Sequence, residues 1–107
     1  MTTFDHREKA FEQKFAPDQE LKFKADARRN YLLAAWAAEK MGITGDSVAN
    51  YQKEVRRADL AEAGDEDVFR KVRSDFDAKG VSVSDEELRA QMITSMEQAI
   101  TQIESER

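Results

Sequence analysis

The chain of 107 residues has no cysteine, one proline, one histidine and four glycines. Without cysteine there are no disulfides, thiolate metal sites or cysteine nucleophile, and the composition suits a cytoplasmic protein. A serine triad would have to use His6, which we interpret as a solvated side chain in the N-terminal segment. The scarcity of proline and glycine argues against a turn-dense β architecture and favours helices.

Long apolar runs and an excess of basic residues are also missing. The longest apolar run covers residues 31–38, far short of a membrane span, and the N-terminus has no apolar stretch like that of a signal peptide. The formal net charge is −5, whereas nucleic-acid binders usually carry a basic surface. We therefore expect neither a nucleic-acid partner nor direct membrane insertion.

The residues that are present predict one helical domain. Hydrophobic residues make up 40% of the chain and charged residues 36%, enough for a modest core in a chain of this length. The apolar spacing predicts four helices, and Gly42, Gly64 and Gly80 are expected to end the first three in the left-handed conformation. The helices are predicted at residues 18–41, 46–63, 65–79 and 85–105. The predicted fold is all-α, a four-helix bundle domain at residues 17–107 with a flexible N-terminal arm at residues 1–16.

Two helices carry further signals. Ser84 and Glu87 form a capping-box pattern, and Val83 and Leu88 form a hydrophobic staple at the start of the fourth helix. The first helix is apolar on two sides, which is typical of a central bundle helix or of one that also offers a partner surface.

The N-terminal arm has a face of its own. Phe4, Phe11 and Phe15 fall within about 40° of one another on a helical projection. Pro17 disfavours helical geometry at Ala16 and so separates the arm from the first helix. One interpretation is a segment that folds against a partner's groove. The alternative is a fifth short helix on the bundle, or a frayed tail.

Neither a metal site nor a catalytic site emerges from the acidic residues. Asp75, Asp77, Gly80 and Glu86 match positions of an EF-hand loop, but Lys79 stands where an oxygen ligand belongs. A helix stop at Gly80 followed by a new cap explains these residues better. The carboxylates at residues 59–67 could form an acid–base site only in a pocket that separates their pKa values. We interpret the last of them as the acidic start of a helix.

The arginines and Trp36 leave two interpretations open. Arg28 lies near the apolar face of the first helix, and a desolvated arginine needs a carboxylate partner or a bound anion. It is therefore expected to pair with an acid of the turn between the second and third helices, or to belong to an anion or nucleotide site. Trp36 is expected in the core, although an indole beside arginines could also stack on a base.

Three blocks of sequence resemble the zeta-subunit family of alphaproteobacterial F-type ATP synthases, small proteins that inhibit ATP hydrolysis by the catalytic head. They are FDHREKAFEQKFAPDQELKFKADARRN at residues 4–30, LLAAWAAEKMGITG at 32–45 and ADLAEAGDEDVFRKVRSDFDAKGVSVSD at 58–85. The blocks are long and compositionally unusual, and together they span most of the chain. The fourth helix is similar mainly in its amphipathic pattern.

The resemblance implies a non-enzymatic inhibitor that is cytoplasmic and peripheral to the membrane-bound ATP synthase. Its arm would dock at an interface between catalytic-head subunits, through Phe4, Arg7, Lys9, Phe11, Lys14 and Phe15. The resemblance also implies that the bundle binds ADP or ATP, a site that we assign to Arg28, Arg29, Trp36, Arg70 and Arg73. Pro17 adds a rigid break that limits fusion of the arm with the first helix. The alternative function is a generic helical adaptor that binds another protein through the first helix without inhibiting an ATPase.

Overall fold

The computed structural model describes residues 19–59 and 65–106, which form four α-helices without strands. The helices are α1 (Gln19–Lys40), α2 (Asp46–Asp59), α3 (Glu66–Lys79) and α4 (Asp85–Glu106). The predicted all-α class and the four helices are confirmed. The predicted arm, the end of the second predicted helix at residues 60–63, and Gly64 lie outside the described residues. The division between residues 16 and 17 stays a prediction.

Helix α1 is the centre of the bundle, because its contacts with α4 and α2 are the most extensive between any two helices and it also packs against α3. Small side chains make this close approach possible, since Ala34, Ala37 and Ala38 are fully buried along its C-terminal half. The position of α1 agrees with the first of the two interpretations of its apolar sides, a central bundle helix.

The core has two parts that divide α1 between them. The N-terminal half of α1 packs on the C-terminal half of α4 through Ala25, Met96, Ile100 and Ile103. Its C-terminal half joins the larger cluster with α2, α3 and the start of α4, which includes Leu33, Val55, Val68, Val72, Phe76 and Leu88. Among the described residues, no helix is both long enough and apolar enough to cross a membrane.

Two helices end at left-handed glycines, as predicted. Gly42 after α1 has φ 75° and Gly80 after α3 has φ 69°. At both helix ends, the backbone N–H of the residue after the glycine makes the terminal hydrogen bond. Ile43 N–H donates to the Ala38 carbonyl and Val81 N–H donates to the Phe76 carbonyl, each at 2.9 Å. This C-capping hydrogen bond, which spans six residues, pairs a carbonyl that would otherwise have no partner within the helix, and it requires φ > 0 at the glycine.

One surface of α1 is apolar and exposed. Phe23 and Tyr31 are 67% and 57% exposed, and Ala27 between them is also exposed. The three residues are four apart and share one side of the helix. We call Phe23, Ala27 and Tyr31 the exposed stripe.

Ser84→Ala is expected to lower the free energy of unfolding by about 1 kcal/mol. The Ser84 hydroxyl accepts the Glu87 N–H at 3.0 Å, and this hydrogen bond satisfies one open donor at the start of α4. Urea denaturation followed by circular dichroism measures the change. Ser82→Ala, at an exposed loop position, is the matched control and should leave the midpoint unchanged. Equal midpoints for both variants would contradict the capping role.

Candidate functional site

The most buried charged side chain of the described residues belongs to Arg29, in the middle of α1. Its side chain is 2% exposed, and its guanidinium lies 3.7 Å from an Asp65 carboxylate oxygen and 4.0 Å from an Asp59 oxygen. Its Nε donates to the Asn30 side-chain oxygen at 2.6 Å, and the Asn30 amide donates to Asp59 at 2.7 Å. One cation thus joins α1 to the end of α2 and to the start of α3. We call Arg29, Asn30, Asp59 and Asp65 the Arg29 cluster.

Acidic groups outnumber cations around this cluster. Burial raises the pKa of Asp59, and the nearby carboxylates of Asp26 and Asp67 raise it further, while Asn30 and Arg29 lower that pKa in part. The net shift is upward because desolvation penalises the charged form more than the partners compensate. Asp65 occupies the N-cap position of α3 without capping it, because its carboxylate faces the arginine instead.

The prediction that Arg28 pairs with an acid of the turn between the second and third helices is wrong. The structure gives that role to Arg29. Arg28 lies at the other side of α1, where its guanidinium donates to Glu106 at 2.8 and 3.1 Å and to Gln102 at 2.8 Å. The hydrogen bond to Glu106 raises the pKa of Arg28 and, reciprocally, lowers the pKa of Glu106.

The other two predicted arginines also have acidic neighbours. Arg70 donates to Asp67 at 3.0 Å, and the Asp67 carboxylate lies near enough to Asp59 of the Arg29 cluster to raise its pKa. Arg73 reaches the connection between α3 and α4, where it donates to the Val83 carbonyl at 2.6 Å and to Asp77 and Asp85 at 3.1 Å. A phosphate at Arg73 would have to compete with these acceptors for its N–H groups.

Trp36 packs against the large core cluster, as expected for a core residue, and stays partly exposed. Its ring meets the buried Phe76 edge-on, with centroids 5.7 Å apart. The Arg73 guanidinium carbon lies 5.9 Å from the Phe76 centroid, and Lys40 Nζ lies 5.8 Å from the centroid of Trp36. Of the five predicted nucleotide-binding residues, Trp36 and Arg73 both contact the ring of Phe76. Arg29 lies within the Arg29 cluster, Arg70 lies beside it, and Arg28 lies apart.

The EF-hand-like residues have structural roles. Asp75 accepts from the Tyr51 hydroxyl at 2.8 Å and from Lys71 at 3.0 Å. Burial and the hydrogen bond to Asp75 raise the pKa of Tyr51. Asp77 pairs with Arg73, and Gly80 ends α3. Within residues 19–59 and 65–106, no group of three or more histidine or acidic side chains has a geometry that could hold a metal ion.

The role of Asn30 and the exposure of Tyr31 were not predicted from the sequence. A signal for the Arg29 cluster was present: Arg29 stands four residues from both Ala25 and Leu33, which are fully buried on the same side of α1. The asparagine beside it has low helix propensity, and a polar residue of this kind inside a helix often has a specific partner.

Arg29→Met is expected to lower the free energy of unfolding by about 3 kcal/mol or more, because it leaves buried carboxylates without their cation. Arg28→Met, its neighbour in sequence, is the matched control and should cost less than about 1 kcal/mol, because an exposed ion pair contributes little. Urea denaturation at neutral pH measures both. Comparable losses for the two variants would refute the asymmetry between the buried and the exposed pair.

Comparisons with known proteins agree with this architecture. The family model for ATPase inhibitor subunit zeta matches residues 1–102. A solved structure described as the solution NMR structure of a protein is 44% identical, with a TM-score of 0.72 over 81% of this chain and 99% of that chain. No curated protein matches the chain. Because the family match extends over nearly the whole sequence, the chain belongs to the ATPase inhibitor subunit zeta family.

Proposed function

We propose that the chain inhibits ATP hydrolysis by the catalytic head of an F-type ATP synthase, by docking its N-terminal arm at an interface between catalytic-head subunits. Membership of the family supports a regulatory inhibitory role with an ATP synthase as the partner. The docking mechanism is our own proposal. In it the bundle carries the arm and takes no part in bond-making chemistry.

The observation that carries the proposal is that the family match begins at residue 1 and so includes the arm. The arm presents Phe4, Phe11 and Phe15 on one side of a helical projection. Helices with such an apolar face bind grooves through a few aromatic anchors. Arg7, Lys9 and Lys14 supply positive charge beside the anchors, suited to an acidic surface.

Phe11→Asp in the full chain is expected to raise the half-inhibitory concentration by about 30-fold, equivalent to about 2 kcal/mol for a buried aromatic anchor. The measurement is ATP hydrolysis by an isolated catalytic head, titrated with each variant. Gln13→Asp adds the same charge on the opposite side of the arm and is the matched control. Its inhibition curve should overlay that of the unaltered chain.

The same titration separates the proposal from the adaptor alternative. An adaptor that binds through α1 would leave ATP hydrolysis untouched at every concentration of the unaltered chain. If the unaltered chain inhibits and Phe11→Asp inhibits equally well, docking through the arm is wrong even though inhibition stands.

We further propose that the bundle binds ADP or ATP as a regulatory ligand. The family resemblance motivates this proposal, and Arg28, Arg29, Arg70, Arg73 and Trp36 remain its candidate residues. The arrangement around Phe76 favours Trp36 and Arg73 as the leading pair, because both contact the ring of Phe76 and Trp36 is partly exposed. Since Arg73 is held by carboxylates, phosphate binding must compete with them, so modest affinity is expected.

Arg73→Gln is expected to weaken ADP binding by about tenfold, the loss of one charge-assisted hydrogen bond. Trp36 is the only tryptophan, so its fluorescence reports binding without a label. Arg89→Gln is the matched control, because Arg89 also pairs with a carboxylate, that of Glu66, and lies 3.9 Å over an aromatic ring, that of Phe69. Fluorescence that does not respond to ADP, or equal weakening in both variants, would count against this site.

A further inference from the structure

We propose that the exposed stripe of α1 is the resting dock of the chain's own N-terminal arm. In this state the arm folds back at Pro17 and lays its phenylalanine face along Phe23, Ala27 and Tyr31. The docked arm is then unavailable to a partner, so the stripe regulates the arm. The inference rests on the arm assignment of the proposed function, and its principal test does not use the catalytic head.

The stripe is the part of the described surface where large apolar side chains are exposed to solvent. Phe23 and Tyr31 are the exposed large hydrophobic residues there, and the small Ala27 lies between them. They are eight residues apart, a rise of about 12 Å along the helix. Phe23 and Tyr31 therefore border a shallow depression over Ala27 that can accept a third aromatic ring.

The position and length of the arm match the exposed stripe. The arm ends at Ala16, three residues before α1 begins at Gln19. If the chain reverses at Pro17 and Asp18, residues equally far from the turn lie side by side. Phe4 then comes level with Tyr31, and Phe11 and Phe15 lie within about one turn of Ala27 and Phe23.

The angular positions exclude a shared surface in one continuous helix. On a straight helical projection the three arm phenylalanines centre about 140° away from the exposed stripe. A fused helix would therefore present the two apolar faces in different directions. Reversal at Pro17, where helical geometry is disfavoured for the preceding residue, lets them face each other.

The area of the stripe favours an intramolecular occupant over a second copy of the chain. Two aromatic rings exposed by somewhat more than half offer roughly 250 Å². A symmetric pair of such stripes would bury roughly 500 Å², well below the 1,000 Å² or so of a specific dimer. A tethered arm needs less, because its effective concentration is on the order of millimolar.

Paramagnetic relaxation in the full chain tests the fold-back. The native chain has no cysteine, so Thr3→Cys gives one attachment point for a nitroxide label. In a continuous helix residue 3 would lie about 42 Å from Tyr31, whereas the docked arm brings them side by side. We expect the amide signals of residues 27–34 to lose about half their intensity or more, as a mostly docked arm requires.

The controls use the labelled chain itself. Phe11→Asp should restore the α1 signals, whereas Gln13→Asp, on the opposite side of the arm, should not. Signal loss spread evenly over the four helices, no loss on α1, or no restoration by Phe11→Asp would overturn the proposal. Loss that grows with protein concentration would also overturn it and would indicate that a second copy covers the stripe.

A second readout links the dock to inhibition. If the arm is docked about three-quarters of the time, Phe23→Asp should lower the half-inhibitory concentration by up to about fourfold, because more arms are free. Weaker inhibition by this variant would mean that the stripe contacts the catalytic head, and would overturn the resting dock. A chain that inhibits nothing would defeat the proposed function, while the relaxation measurement would still decide the fold-back.

Discussion

The buried guanidinium of Arg29 is the constraint around which three of the four helices are arranged. A charge with a 2% exposed side chain is tolerable only where carboxylates surround it. Those carboxylates come from the last residue of α2 and from the residue before α3. Both ends of the connection at residues 60–64 are thereby tied to the middle of α1. The pairing therefore fixes where the third helix starts relative to the first.

The tie to Arg29 also explains why α1 has two unlike halves. Beyond the arginine, toward its C-terminus, α1 is enclosed by α2, α3 and the start of α4, and alanines allow the close approach. Before the arginine, α1 packs mainly on the end of α4, through Ala25 and its neighbours. Its other side carries Phe23 and lies open. The exposed apolar surface therefore begins in the half of α1 to which the arm is attached and extends past Arg29 to Tyr31.

Local signals in the sequence predicted the helices, whereas the partners of the charged residues depended on the assembled bundle. Glycine with φ > 0 and a serine cap act over a few residues, so Gly42, Gly80 and Ser84 were assigned correctly. The choice between Arg28 and Arg29 depended on how α1 is rotated against α2 and α3. A step of one residue rotates a side chain by about 100°, enough to exchange the buried pair for the exposed one. Trp36 was placed in the core because its apolar neighbours already marked that side.

A resting dock can regulate an inhibitor only if it is weak, and the size of the stripe meets this condition. Roughly 250 Å² on each side is a small area for a specific contact, so the docked arm exchanges readily with the free arm. A catalytic-head groove that buries more of Phe4, Phe11 and Phe15 than the stripe can would then capture the arm with little opposition.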